Sequence, residues 1–365
     1  MVSQIKAGAI ISYISLFINI LLGIIYTPWM IRSIGVSDYG LYVLAMSVIT
    51  IFVFDFGLGS AVQRFVSKYL AEGRLDKVNK FLSVTYKLYI IADVVIFLFL
   101  FSVYFFIADI YQGLSPEELV KFKFIYAVVA IFSVFSFPFV LLDGTILAHE
   151  KFVQLKLCDL LYQIVIASSM TIFLYFGYGL YALVLVNVVS GIFRVVLKLI
   201  VLNRFTEVKI NWRYWDSSIL KAIIAFSMWV TIYAISQRAV LSSAPSILGI
   251  YYSSEYIALL GVVISVEGFF YLFANAINGL FLPKVSKLIA NQKSGDIIQL
   301  MIRVGRIQIF TTGMIYIGLI SFGKHFINLW VGEEFSLVYI CSIIMILPSF
   351  ISLAQNIAFT TMIAQ

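Results

Sequence analysis

The chain has 365 residues, of which 62% are hydrophobic and 12% are charged, whereas soluble domains have about 45–50% and about 25%. This composition excludes a soluble domain. Because the apolar runs extend over the whole length, they also exclude a soluble enzyme with one anchor or signal peptide. The net charge of +7 would suit nucleic acid, but the basic residues are dispersed over short loops rather than clustered on one surface.

Continuous apolar runs of about 20 residues predict membrane-spanning α-helices, since a helix of that length crosses the hydrocarbon core. Strands of a membrane barrel would instead alternate apolar and polar residues over about ten positions. We therefore expect an all-α polytopic membrane protein with ten transmembrane helices, in chain order 9–31, 40–63, 81–107, 122–147, 157–176, 179–201, 219–243, 256–282, 299–322 and 337–360.

The basic residues of the connecting loops fall mainly on one side of this topology. With a cytoplasmic N-terminus, the inner loops hold fourteen of them: Lys6, Arg64, Lys68, Arg74, Lys77, Lys80, Lys151, Lys156, Arg204, Lys209, Arg213, Lys284, Lys287 and Lys293. The outer loops hold three, which are Arg32, Lys121 and Lys324. The positive-inside rule therefore predicts that both ends are cytoplasmic. The dispersed cations face anionic lipid headgroups, which argues against a nucleic-acid partner.

Side chains that carry redox, metal or nucleotide chemistry are sparse. Cys158 and Cys341 both fall inside apolar runs, and His149 and His325 lie far apart in the sequence. These positions predict neither a disulfide framework nor a metal site. The sequence also lacks a glycine-rich nucleotide loop.

An internal repeat divides the chain. The triplet Ser-Asp-Tyr at 37–39 precedes Val-Ser-Lys at 66–68, and Ser-Glu-Tyr at 254–256 precedes a second Val-Ser-Lys at 285–287. The copies lie six predicted helices apart and enter the membrane from the same side. This suggests two parallel six-helix repeats with a site between them; chance similarity between apolar helices is the alternative. We expect an N-lobe at 1–205 with six helices and an incomplete C-lobe at 206–365 with four.

Several motifs resemble those of the Wzx-type polysaccharide flippases, which belong to the multidrug/oligosaccharidyl-lipid/polysaccharide exporter superfamily. The motifs are GIIYTPWMIRSIG at 23–35, DYGLY at 38–42, DFGLG at 55–59, VSKY at 66–69 and LWVGEEF at 329–335. The first four form a block over the first two predicted helices that is typical of polysaccharide-type members. Because members of this superfamily usually have at least twelve helices, the ten expected here suggest a C-terminal truncation.

The resemblance implies a MATE-like fold of two six-helix lobes around a cavity that opens alternately to either side. It implies flipping of an undecaprenyl-diphosphate-linked oligosaccharide from the inner to the outer leaflet of the bacterial cytoplasmic membrane. The implied partners are this lipid-linked sugar, membrane lipids and a polysaccharide polymerase or export complex. We expect no enzymatic reaction and no cofactor, while coupling to H⁺ or Na⁺ is left open.

A flipped sugar head group needs a polar path, so ionisable residues inside the spans are the candidate lining. In the seventh predicted helix, Arg238 shares a helical stripe with Ser227, Thr231 and Ser242, which favours a cavity face. The alternative is an arginine that extends to the outer interface. In the eighth, Glu267 and Asn275 share a stripe with Tyr271 and Asn278, which could be a cavity lining or an interhelical polar clamp.

Five further ionisable residues complete the candidate lining. Lys87 and Asp93 lie in the third predicted helix and Asp55 in the second; Lys87 could instead reach the headgroups. Arg64, near the inner end of the second helix, would meet a diphosphate at the cytoplasmic mouth, or anchor the helix to headgroups. Arg194 continues a stripe from Asn187 and Ser190 towards Lys198; positive-inside anchoring is its alternative role. We expect Asp143 and Asp159 to be solvated or paired.

Two other functions are alternatives to a flippase. A cation-coupled multidrug exporter of the same superfamily would also use membrane-embedded acids such as Asp55, Asp93 and Glu267. A membrane-embedded polymerase or glycosyltransferase would need a sizeable extramembrane loop with clustered acids or histidines, and the longest loops here have only about 15–17 residues. An inactive truncated transporter is the remaining alternative.

Overall fold

The computed structural model describes residues 2–52, 57–290 and 294–355. Within these ranges, nothing is described of the side chains of 2–10, 12–13, 52, 60, 239–241, 275–290, 294, 296, 350–351 and 354. The α-helices are α1 Val2–Ile34, α2 Val36–Phe52, α3 Leu58–Ala71, α4 Leu75–Ile110, α5 Pro116–Ser136, α6 Leu141–Ala148, α7 Phe152–Tyr175, α8 Gly179–Phe205, α9 Ser217–Tyr251, α10 Ser254–Ala290, α11 Ser294–Trp330 and α12 Ser336–Ala354. In this part of the chain the regular structure is entirely helical, which confirms the all-α class.

Eight candidate membrane spans are found among the described residues by length and apolar composition. They are Ile14–Ile34, Leu75–Ile110, Pro116–Ala148, Phe152–Tyr175, Gly179–Phe205, Ser217–Arg238, Ser254–Ala274 and Ile297–Trp330. The other two predicted spans fall on the shorter apolar helix α2 with α3, and on α12. The protein is therefore a multi-pass membrane protein.

The second predicted span, 40–63, is not described as one continuous helix. α2 ends at Phe52, and α3 begins at Leu58 directly after Gly57, whose φ of +71° is left-handed. A right-handed helix cannot continue through that backbone conformation, and glycine adopts it without strain. A Cβ at this position would also come within 2.6 Å of the Val230 Cβ in α9, so the turn is packed closely against another helix.

The fourth predicted span, 122–147, also changes its geometry partway along. α5 ends at Ser136, a 3₁₀ turn covers Phe137–Val140, and α6 continues from Leu141. Pro138 lies in this turn. Because proline has no N–H and its ring crowds the preceding turn, it interrupts regular α-helical hydrogen bonding at this point.

One face of α4 carries large apolar side chains that the other described elements leave mostly exposed. Phe101, Phe105 and Phe106 are each more than half exposed, and Leu98 is as well. An apolar surface of this extent would be unfavourable in water. In a bilayer it is the expected surface towards the lipid chains.

The contacts of the chain divide it into two compact units. The first comprises Met1–Ser15 with Arg32–Ala258, and the second comprises Leu16–Ile31 with Leu259–Gln365. Because these units reflect packing rather than sequence repeats, the lobe boundary between residues 205 and 206 stays a prediction.

Close approach of helices shapes the first unit. Its core includes the fully buried Leu44 of α2, Val62 of α3 and Tyr89 of α4. A Cβ at Gly144 in α6 would come 2.6 Å from the Gly59 carbonyl oxygen of α3, so these two backbones touch. Small residues allow such contacts, which supply much of the packing energy between membrane helices.

The second unit contains the late motif that led to the family resemblance. Trp330 at the end of α11 donates its indole N–H to the Ile24 carbonyl oxygen of α1 at 2.5 Å. Its ring also packs against Phe326 and Phe269, with ring centroids 5.4 and 6.0 Å away. The motif therefore joins α1, α10 and α11 within this unit.

Candidate substrate path

The loop between α8 and α9 is fastened along the start of α4. The Asn79 side-chain oxygen accepts from the Lys209 backbone N–H at 2.9 Å, and the Ser83 hydroxyl oxygen accepts from the Asn211 N–H at 2.8 Å. One helical turn further on, the Lys87 ammonium donates to the Tyr214 carbonyl oxygen at 2.8 Å. Residues 206–216, called the linker below, thus form a strap held by side chains of α4.

Lys87 has a defined role in this strap. Its ammonium nitrogen also lies 5.7 Å from the centre of the Trp215 ring, within the range of a cation–π contact. The side chain is half-buried. Lys87 therefore holds the linker through one hydrogen bond and keeps further N–H donors; its place in the substrate path stays a prediction.

The linker ends in a capped helix. Asp216 accepts from the Ser218 hydroxyl at 2.7 Å and from the Ser218 backbone N–H at 2.8 Å, while the Tyr214 hydroxyl donates to its other oxygen at 3.0 Å. These donors stabilise the carboxylate, the Ser218 hydroxyl most of all, and lower the pKa of Asp216 below its usual value. The N-terminus of α9 is therefore fixed beside α4.

Arg64 lies on an exposed polar face of α3. Gln63, Arg64, Ser67 and Lys68 are all exposed and recur at the spacing of one helical face. The Arg64 guanidinium carbon lies 5.0 Å above the centre of the Phe226 ring of α9. This contact orients the guanidinium while its N–H donors stay accessible, as capture of an anionic group requires.

Arg194 and Lys198 form a charge cluster with two acids. Arg194 donates to the Asp159 carboxylate at 2.6 and 3.1 Å. Lys198, which is 5% exposed, donates to Asp143 at 2.5 Å and lies 3.7 Å from Asp159. This confirms that Asp143 and Asp159 are paired. Because the two carboxylates balance the two cations, the end of the α8 stripe that holds Arg194 and Lys198 is locally neutral.

Glu267 is tied to a neighbouring helix of the second unit. Its carboxylate is 5% exposed and accepts from the Ser349 hydroxyl of α12 at 2.7 Å, and the Tyr271 hydroxyl lies 3.1 Å from the same Ser349 oxygen. The polar clamp considered for this stripe is therefore present between α10 and α12. Ser349 was not among the predicted site residues, and neither was the fully buried Gln308, which donates to the Ala274 carbonyl oxygen at 3.1 Å.

The remaining predicted site residues are less constrained. Arg238 is half-buried in α9, where Ser227 and Ser242 of the same stripe are buried. Asp93 is half-buried in α4, and within the described ranges its Oδ1 oxygen receives no hydrogen bond. Asp55 and the side chain of Asn275 lie outside the described residues. The lining roles of these four residues stay predictions.

Comparison with known proteins identifies the family. A family described as "Polysaccharide biosynthesis protein" matches residues 29–339. The chain belongs to this family. The match spans most of the chain and, with the structural likeness to the same superfamily, confirms the resemblance read from the motifs. No curated protein matches the chain.

Solved structures with a similar fold are transporters. A multidrug resistance MATE family transporter of the MOP superfamily, inward-facing, matches with a TM-score of 0.70 and 13% identity over 96% of this chain and 78% of that one. The lipid II flippase MurJ, in an inward closed conformation, matches with a TM-score of 0.69 and 14% identity over 98% and 75%. A eukaryotic MATE transporter matches with a TM-score of 0.59 and 14% identity over 98% and 83%. The protein therefore has the MATE-like fold expected from its motifs.

Proposed function

We propose that this protein is a flippase that moves an undecaprenyl-diphosphate-linked oligosaccharide repeat unit from the inner to the outer leaflet of the bacterial cytoplasmic membrane. The observation that carries this proposal is its membership of the polysaccharide biosynthesis family over residues 29–339. The fold shared with MurJ, which is described as a lipid II flippase, supports it.

The cations at the inner ends of α3 and α4 suit the head group of such a substrate. Arg64 and Lys68 are exposed on α3, while Lys80 and Lys87 lie beside the aromatic rings of Tyr214 and Trp215. A diphosphate is recognised by arginine through paired hydrogen bonds and by lysine through its point charge. On the cytoplasmic side, as the positive-inside rule predicts, these residues would meet the newly made lipid-linked sugar first.

Transport then requires only a change in which side of the membrane the head group faces. The sugar needs a polar path, since each unsatisfied polar group costs several kcal/mol in hydrocarbon, whereas the lipid tail stays in the bilayer. Arg238, Asp93 and Glu267 are our candidates for the path within the membrane. No covalent bond changes, so this function needs no cofactor.

A cation-coupled multidrug exporter is the second candidate, because the MATE family transporter described above has the same fold. Deletion of the gene in its host separates the two functions. A flippase predicts accumulation of undecaprenyl-linked repeat units on the inner leaflet, loss of surface polysaccharide, and recovery of both when the gene is restored. Normal surface polysaccharide with increased drug sensitivity would contradict the flippase and favour the exporter.

A further inference from the structure

One carboxylate joins α2, α5 and the first residue of α10, all within the first unit, at the ends that the charge asymmetry places outside. Glu118, in the first turn of α5, accepts from the Ser37 hydroxyl of α2 at 2.8 Å and from the Ser254 hydroxyl at the start of α10. The two serine oxygens lie 2.9 Å apart. Because each hydroxyl has a single proton, the Glu118 Oε1 oxygen is the acceptor that can receive both.

The other oxygen of this carboxylate fixes its position. The Glu118 Oε2 oxygen accepts from the Ser115 backbone N–H at 2.8 Å, and the Ser115 hydroxyl in turn accepts from the Glu118 N–H. This reciprocal pair is a capping box, which holds the glutamate side chain against the start of its own helix. Oε1 is therefore pre-oriented towards the two serines.

The backbones around these hydrogen bonds are in direct contact. A Cβ at Gly40 would overlap the Ser254 carbonyl oxygen, and one at Gly113 would overlap the backbone of Tyr252. Ser254 is fully buried. With no side chain at either glycine, the backbone of α2 and the turn before α5 lie in direct contact with residues 252–254.

The polar contacts that join α2, α5 and α10 are not the same for each pair of helices. α2 and α5 are also joined by the ion pair of Asp38 with Lys121, with nitrogen and oxygen 2.7 Å apart. The start of α10, in contrast, is held to Glu118 by the hydroxyl of Ser254. Among the polar contacts of the described residues, the ion pair therefore joins α2 to α5 alone, and α10 is held at this point through the hydroxyl of Ser254.

We propose that Glu118 is the latch that keeps the outer end of the transport path closed, and that its bond to Ser254 is the contact that opens. This inference rests on the proposed transport function. In the closed state Glu118 holds α10 against α2 and α5. When the outer side opens, Ser254 leaves the carboxylate, while Ser37 and the Asp38–Lys121 pair keep α2 and α5 together.

Accessibility of a buried cysteine tests the latch without any transported substrate. Cys158 and Cys341 are first replaced by alanine, and Ala258, which is fully buried one turn beyond Ser254, is changed to cysteine. In intact cells, Glu118→Ala should raise its labelling by a membrane-impermeant maleimide about fivefold or more, because the closed population falls. The matched control is Glu117→Ala, which removes an exposed acid of the same helical turn and should leave the rate unchanged.

Equal labelling in Glu118→Ala and Glu117→Ala would overturn the proposal. If Glu118→Ala fails to accumulate in the membrane, Ser254→Ala provides the same test, because it removes one hydroxyl and leaves the capping box of α5 intact. Ser253→Ala is then the control. Increased labelling in Ser254→Ala alone supports the latch, and an unchanged rate contradicts it.

A disulfide tests whether the latch must open during transport. In the cysteine-free background, Ser37→Cys with Ser254→Cys places two thiols where the hydroxyl oxygens are 2.9 Å apart, close enough for a bond. Oxidation should stop export of the lipid-linked sugar and a reductant should restore it, whereas either single variant should not respond. Export by the fully cross-linked protein would overturn the proposal. If the wild type exports no lipid-linked sugar, the proposed function fails, and the labelling result still decides the latch.

Discussion

The hydroxyl oxygens of Ser37 and Ser254 lie 2.9 Å apart, although 217 positions separate them in the sequence. Ser37 begins the Ser-Asp-Tyr triplet of the first repeat, and Ser254 begins the Ser-Glu-Tyr triplet of the second. Positions that the repeat makes equivalent thus meet at the same carboxylate, that of Glu118. The sequence pattern found both residues, and the structure shows that both donate to one carboxylate.

Arg238 tests the path within the membrane. Arg238→Ala should abolish polysaccharide export with nearly unchanged membrane abundance, because a cavity-lining arginine is solvated and its loss leaves no buried partner uncompensated. Arg238→Lys should retain part of the activity, since it keeps the charge and loses the paired donors. Complementation and abundance are measured together, with the exposed neighbour Gln237→Ala as control. Full export by Arg238→Ala would favour an arginine that extends to the interface.

The clamp between α10 and α12 predicts a stability change. Ser349→Ala removes the hydroxyl that donates to the buried Glu267 carboxylate, and leaving a buried acceptor without its donor costs about 1–3 kcal/mol. Thermal unfolding in detergent should show a lower midpoint for Ser349→Ala. The exposed Ser352→Ala should unfold like the wild type. If Ser349→Ala and Ser352→Ala unfold at the same temperature, the hydrogen bond from Ser349 to Glu267 contributes nothing to stability.

The charge cluster of α6, α7 and α8 predicts non-additive mutations. Lys198→Met leaves Asp143 and Asp159 with one cation, and removing one member of a buried pair costs about 3 kcal/mol. The expected cost lies at the low end of the range for buried ion pairs because the Asp143 side chain is 41% exposed. The double variant Lys198→Met with Asp143→Asn restores charge balance and should regain much of the loss. The amount of folded protein recovered in detergent is compared for the single and double variants. If the losses caused by the two substitutions simply add, the four charged residues are not coupled.

Proteolysis tests the linker and the topology together. Asn79→Ala and Ser83→Ala each remove a side chain that accepts from a linker N–H. Trypsin cleavage after Lys209 or Arg213 should therefore become several times faster in these variants. It should occur in inverted vesicles and not in intact spheroplasts, because the positive-inside rule places this loop in the cytoplasm. Cleavage in spheroplasts would contradict the predicted orientation. Cleavage of both variants at the wild-type rate would show that Asn79 and Ser83 do not hold the linker.

The pH response of the same loop follows from Asp216. Its pKa is lowered, so the charged cap is fully formed above the ordinary carboxylate value of about 3.9 and is lost as the pH falls through the lower folded-state value. Tryptic cleavage of the linker, corrected for trypsin activity, should thus be constant between about pH 6 and 8. Asp216→Ala should cleave faster throughout that range. If cleavage of the wild-type linker changed between about pH 6 and 8, the charged Asp216 cap could not be the group that protects the linker.

The spans were predictable because lipid requires long apolar helices, a condition that the sequence shows directly. The interruption at Gly57 was not, since a glycine also fits inside a membrane helix, and neither its left-handed φ nor its close approach to Val230 has a signal in the local sequence. The interruption at Pro138 had a local signal, yet prolines within spans often only bend a helix. Long apolar helices are therefore easier to predict than their interruptions.

Partners of the polar side chains were harder to predict than the side chains themselves. Helical periodicity placed Arg194 and Glu267 on polar stripes, but it does not say which helix faces a stripe. Asp159 is 35 positions from Arg194, and Ser349 is 82 from Glu267. A serine within an apolar helix also carries little signal of its own. The neutral charge cluster and the α10–α12 clamp thus required the fold.

Translocation by purified protein in vesicles measures the proposed flippase activity without other cell components. Vesicles with and without the protein are loaded with a fluorescent undecaprenyl-diphosphate-linked oligosaccharide, and an impermeant quencher reports the fraction of head groups in the outer leaflet over time. A flippase should accelerate exchange between leaflets, and the oxidised Ser37→Cys with Ser254→Cys variant should not. Exchange no faster than in protein-free vesicles, in preparations that do transport a cationic drug, would contradict the proposed flippase activity.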